Sequence, residues 1–137
     1  MKRSQFLYLI AALTVSFLLV ACGGKDSPTT PPASNVRTVK YEITGNYTGG
    51  LIIVYTGASG ALVTTETFTL PWTRDITISS GVGVIAFTGS TIVGRGGVTG
   101  QTGTIRIYSG GTVVKTEVGT VLSSGLLPLP TLAHVFP

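Results

Sequence analysis

The chain has 137 residues, 43% of them hydrophobic and only 10% charged, with 19 glycines and a formal net charge of +4. That length suits one domain, and the apolar fraction is too high for an intrinsically disordered chain. Abundant Gly, Thr and Val with little Ala-Glu-Lys-Leu patterning argues against a helical bundle and for an all-β domain.

Met1–Gln5 carries Lys2 and Arg3, and Phe6–Val20 is a charge-free apolar run. The run is shorter than the ~20 residues that span a hydrocarbon core, and its layout is that of a secretory signal peptide over residues 1–21. Leu19-Val20-Ala21-Cys22 resembles the lipobox of bacterial lipoproteins. The resemblance implies cleavage between Ala21 and Cys22 and acylation of Cys22 by diacylglycerol and palmitate-type chains, so that membrane lipid is the first expected partner. Two or more acyl chains anchor a protein stably, at ~0.8 kcal/mol per buried CH2. The alternative is an uncleaved membrane helix with an incidental cysteine. Cys22 is the sole cysteine, which leaves no internal disulfide.

Residues 22–35 read as a tether, biased towards an extended spacer by Pro28, Pro31 and Pro32. Gly23 follows the cysteine where enterobacterial lipoproteins held in the inner membrane commonly carry Asp, so outer-membrane attachment is expected, with the face left open. Lys25-Asp26 is loosely like the charged export tags of some surface lipoproteins. Without Lys2 and Arg3, seven basic residues oppose five acids with no basic cluster, which argues against nucleic acid as a partner.

From Val36 the periodicity is two. Val39–Thr44 alternates as a half-buried strand does, and Leu51–Tyr55 is a continuous apolar run expected to be covered on both faces. Gly57–Gly60 reads as a turn. Leu62–Leu70 is an alternating strand ended by Pro71, and Asp75–Ser79 and Val82–Thr88 are further strands. The strands at Ile105–Tyr108 and Val114–Val118 flank Ser109-Gly110-Gly111-Thr112, a strong hairpin signal. About seven short strands without a helix predict an all-β, antiparallel two-sheet sandwich of the immunoglobulin-like kind over residues 36–137.

Two segments carry a second resemblance. Val39-Lys40-Tyr41-Glu42-Ile43-Thr44-Gly45 and, 25 residues after Gly45, Leu70-Pro71-Trp72-Thr73 resemble the opening strand and the Leu-Pro-Trp corner of the extracytoplasmic MmpS domain. MmpS proteins are accessory partners of the MmpL exporters of the RND type, and the match runs from residue 39 to about 116. The resemblance implies a non-catalytic domain with an exporter subunit as partner. The chain differs from that family in its lipid anchor, in having no cysteine in the domain, and in its Leu-rich end.

Trp72 is expected to fill the core beneath Pro71, its indole N–H meeting a carbonyl, or else to anchor a partner. Arg74-Asp75 beside it reads as a solvated pair. The glycine-dense Gly94–Gly103 stretch lacks the spacing of a dinucleotide or phosphate loop. It reads as a mobile hairpin loop or as a contact loop with Arg95 at its tip. Trp72, Arg74 and Arg95 are therefore the candidate partner contacts. One His near the end, no free thiol in the mature domain and five scattered acids provide no catalytic constellation, no cofactor site and no metal-ligand spacing. The uncharged tail Val121–Pro137 either closes the sandwich as an edge strand or is left for a partner or a membrane. The leading expectation is thus an accessory lipoprotein of an envelope transport complex. The alternative is a cell-surface module that binds a glycan or a protein through its loops.

Overall fold

The computed structural model describes residues 36–137. The expected signal segment with its cleavage site at Ala21 and Cys22, the acylation of Cys22 and the tether up to Asn35 lie outside the described residues. The described chain forms eight strands: β1 (Arg37–Gly45), β2 (Leu51–Thr56), β3 (Leu62–Thr67), β4 (Trp72–Ile78), β5 (Val84–Thr91), β6 (Thr102–Ser109), β7 (Thr112–Thr120) and β8 (Leu132–Val135). Two antiparallel sheets face each other, one in the order β4-β1-β6-β7 and the other β3-β2-β5-β8. The all-β sandwich is the expected one, with one strand more than the seven counted. Its order is its own: β1 and β2 lie in opposite sheets, whereas the first two strands of immunoglobulin domains share one.

Period-two patterning builds the inner faces. Val39, Tyr41 and Ile43 of β1 and Ile105 and Ile107 of β6 point inward against Leu51, Ile53, Ile85 and Phe87 of the facing sheet, all buried. Each such side chain contributes about 1.5–3 kcal/mol by leaving water. Tyr41 sits at the centre, its ring 5.4 Å from that of Tyr55 and 5.0 Å from that of Phe87. Its hydroxyl donates to the Thr56 carbonyl at 2.9 Å, linking the two sheets through the core. Thr56 is the buried polar side chain of this region. Its Oγ1 accepts from Ala86 N–H at 2.8 Å, standing in for a main-chain partner where the β2–β5 ladder ends.

Three local expectations change. Leu51–Tyr55 is a central strand, but only one of its faces is covered. Ile52 and Val54 stay half-exposed, because a two-layer sandwich has no third layer to lie on them. β3 stops at Thr67, ahead of Pro71, where Thr67 Oγ1 donates to the Thr69 carbonyl at 2.9 Å and turns the chain. Residues 68–71 carry the chain from one sheet to the other instead of extending β3, and β4 begins at Trp72 rather than at Asp75. The Gly110-Gly111 hairpin forms as expected, with φ of +56° and +83° at its two turn residues.

The tail closes the sandwich. Leu127, Leu129, Leu132 and Phe136 are buried, and β8 pairs with β5 at the edge of the second sheet. Leu127 lies across Gly103 and Gly119, which face each other on β6 and β7, and a Cβ on Gly103 would come within 2.6 Å of the Leu127 side chain. The glycines here make a track for the tail rather than a turn. Arg37 fastens the far end, donating to the Val82 carbonyl at 3.1 Å with its guanidinium 4.4 Å from the centre of the Phe136 ring.

Candidate functional site

Antiparallel pairing of β1 with β6 sets Lys40 opposite Tyr108 and Glu42 opposite Arg106 on the outer face of the first sheet. These four side chains form one network. Glu42 accepts from Lys40 Nζ at 3.1 Å, from Arg106 Nη1 at 3.0 Å and from the Tyr108 hydroxyl at 2.7 Å, and Arg106 also donates to Thr44 Oγ1 at 3.1 Å. Lys40 Nζ lies 4.0 Å from the Tyr108 ring centre, a cation–π contact. Partial burial pushes the Glu42 carboxyl up, but the hydrogen bonds from Tyr108, Lys40 and Arg106 outweigh it and hold the group below its ordinary range. The same bonds raise the partners: Glu42 holds the proton on Lys40 and on the Tyr108 hydroxyl.

Beside this network the surface dips into an open depression of about 510 Å³, lined by Thr38, Lys40, Asp75, Thr77, Tyr108 and Gly111 among others. β4 supplies Asp75 directly across from Lys40, and the β6–β7 turn supplies Gly111. An ammonium, a carboxylate, hydroxyls and an aromatic ring stand around an open depression that the apolar side chains of Val39 and Ile76 also line, and its polar groups can exchange hydrogen bonds with an uncharged polar ligand. Among the described residues, no three His, Cys, Asp or Glu side chains gather as a metal site would need.

The three residues singled out from the sequence fall in different neighbourhoods. Trp72 opens β4 with its ring half-buried, stacked on Phe87 at 5.9 Å and tilted against Tyr55 at 5.8 Å, so aromatic neighbours hold it. Arg74 is exposed on the same strand, paired across from Tyr41 and on the inward-facing side of the edge. Arg95 belongs to the Gly94–Gly103 segment, which is a crossover from β5 in one sheet to β6 in the other and not a hairpin loop. That segment is tied down. Gly50 N–H donates to the Arg95 carbonyl at 2.9 Å, Gly97 N–H to Gly125 at 2.9 Å and Gly100 N–H to Val121 at 3.1 Å. Gln101 Oε1 accepts from the N–H groups of Thr48 and Val98. The Arg95 guanidinium lies 5.6 Å from the Phe68 ring centre, so it flanks a pinned crossover instead of marking a free tip.

The outer face of the second sheet is different in kind. Leu62, Val84 and Val135 are exposed there, beside half-exposed Ile52 and Val54, and Glu66 is its one carboxylate among the described strands. The Lys40–Glu42–Arg106–Tyr108 network was not visible in the sequence. Alternation marks Lys40 with Glu42, and Arg106 with Tyr108, as outward pairs, but only the β1–β6 pairing joins them. No protein-family model and no curated protein matches this chain.

Proposed function

We propose that this chain is a non-catalytic lipoprotein of the cell envelope, held by lipid on Cys22, whose sandwich serves as an accessory subunit of an RND-type exporter. The observation that carries the reading is the pair of segments resembling MmpS proteins. Val39–Gly45 falls within the central strand β1, and Leu70-Pro71-Trp72 is the corner by which the chain passes from the second sheet to the first. The charge-poor outer face bearing Val84 and Val135 supplies apolar surface that an exporter's extracytoplasmic domain could cover. Arg74 at the β4 edge and Arg95 beside Phe68 are additional contacts for mutation.

Crosslinking in living cells tests this, followed by purification of the acylated protein and mass spectrometry of what accompanies it. Recurrent recovery of an exporter subunit, lost in Val84→Lys/Val135→Lys, is the expected result. Recovery of the lipoprotein without any exporter, in cells that express exporters, would refute it.

The depression lined by Lys40, Asp75 and Tyr108 favours a second reading, a surface module for a glycan. That reading requires the domain to be accessible to protease added to intact cells, and it requires Asp75→Ala to weaken glycan binding while leaving the exporter association intact.

A further inference from the structure

The four sheet edges are not equally protected against pairing with another strand. β4 follows Pro71 and sets exposed Arg74 on the inward-facing side of its edge, opposite Tyr41. β7 places exposed Lys115 and Glu117 opposite the buried Ile107 and Ile105, and its pairing with β6 is broken by a bulge at Ile107/Tyr108. β8 has four residues, with Pro128 and Pro130 just before it and Pro137 just after. Inward charges, bulges, prolines and shortness are the devices that keep edges from pairing. β3 has none of them. Its six residues, Leu-Val-Thr-Thr-Glu-Thr, contain no proline, lysine or arginine, and the single charge, Glu66, lies on the outer face.

Which backbone groups of β3 are free follows from its two neighbouring ladders. Gly57 N–H donates to the Ala61 carbonyl at 2.7 Å where the β2–β3 hairpin closes, so the bonded rungs to β2 fall on the odd-numbered residues of β3. Ile92 N–H donates to the Gly50 carbonyl at 2.9 Å, which turns the even-numbered residues of β2 towards β5 and agrees with that assignment. The N–H and C=O groups of Leu62, Thr64 and Glu66 therefore face away from β2, along the open edge.

We propose that β3 pairs with β3 of a second copy of this chain, antiparallel and centred on Thr64, joining two four-stranded sheets into one. A two-fold axis through that point sets Thr64 against Thr64, Val63 against Thr65 and Leu62 against Glu66 of the other copy. No like charges meet, and Thr–Thr is a favourable cross-strand pair. Such self-complementarity is what a two-fold interface needs. This pairing stands independently of the exporter reading, since it uses an edge and not the Val84–Val135 face.

The test is a photo-crosslinking amino acid placed at position 64 of the full-length protein in its native membrane, with position 116 on the guarded β7 edge as control. Expected from 64, and not from 116, is a product of twice the chain mass containing this chain alone. A Glu66→Lys change leaves this pairing without like-charge contact and should preserve the product. Leu62→Glu faces Glu66 of the other copy with a like charge and should reduce it at least tenfold, with the melting temperature of the purified protein unchanged. A product with a different protein, a product of monomer mass only, or equal yield from 64 and 116 would each overturn the pairing.

Discussion

On the outer face of β1 and β6, the charged side chains Lys40, Glu42 and Arg106 are joined to one another, whereas the outer face of β2 and β5 exposes Val84, Val54 and Ile52 with hardly a charge nearby. Both strand pairs sit in the middle of a four-stranded sheet and bury equivalent inner faces. Their outer faces are therefore free to diverge, since core packing constrains only alternate residues. The two sheets also differ in how they are completed. The first is built from strands up to Thr120, while the second needs the chain to return after β7 and add β8 along β5. One sheet thus carries a polar, organised surface, and the other an apolar surface whose edge depends on the C-terminal tail.

Removing residues 126–137 should have the largest effect on the second sheet. It strips β8 from the second sheet and four buried apolar side chains from the core, so the cooperative thermal transition should vanish. A tail that merely lies on the surface would leave melting unchanged. Leu127→Ala tests the same point within a complete chain, with an expected cost of about 2–5 kcal/mol in denaturant unfolding.

Tyr41 belongs to both sheets at once, and Tyr41→Phe removes the hydroxyl that the Thr56 carbonyl accepts. Leaving a buried carbonyl without its partner should cost about 1–3 kcal/mol. Burial pushes the Tyr41 phenol above its ordinary value of 10.0. The folded state therefore holds that proton more tightly than the unfolded chain does. The resulting stability is intact below pH 10 and declines above it, and Tyr41→Phe should flatten that alkaline decline in pH-dependent melting.

Glu42→Gln addresses the polar face alone and should cost about 1 kcal/mol, the usual value for hydrogen bonds near a surface. The Glu42 carboxyl is held below its ordinary value of 4.5, so the unfolded chain takes up the proton more readily. Its contribution is present above pH 4.5 and is lost as pH falls through the lowered value. The variant should lose that part of the acid sensitivity, and wild-type acid unfolding should be more salt-dependent than the variant's.

The smallest effect is expected on the other face. Val84→Thr and Val135→Thr should change stability by no more than about 0.5 kcal/mol, since both side chains are exposed. A larger loss would mean that this face is packed against something in the protein as studied, and the contrast between the two faces would fail.

Much of the sandwich was legible because its elements are local. The alternation at Val39–Thr44 and Ile105–Tyr108 and the Gly110-Gly111 turn each report on residues within a few positions of one another, where strand period and turn chemistry act. The misreadings came where distant chain decides. Leu51–Tyr55 looks doubly buried because apolar residues on an uncovered outer face carry the same letters as core. Gly94–Gly103 looks like a loose hairpin because glycine content does not say that β5 and β6 belong to different sheets. The candidate site was hidden for the same reason: Glu42 and Arg106 are 64 positions apart, and no local pattern couples them.

The sequence alone determined the class of the fold, the strand positions to within a few residues and the inward identity of Tyr41, Ile43, Ile105 and Ile107, because hydrophobic burial and turn sterics are read residue by residue. Tertiary structure decided the strand order, the seating of Leu127 on the Gly103–Gly119 track, the four-residue network on one face and the unguarded edge at β3. Each of these depends on which strands become neighbours, and that choice is made by the whole chain closing around one core.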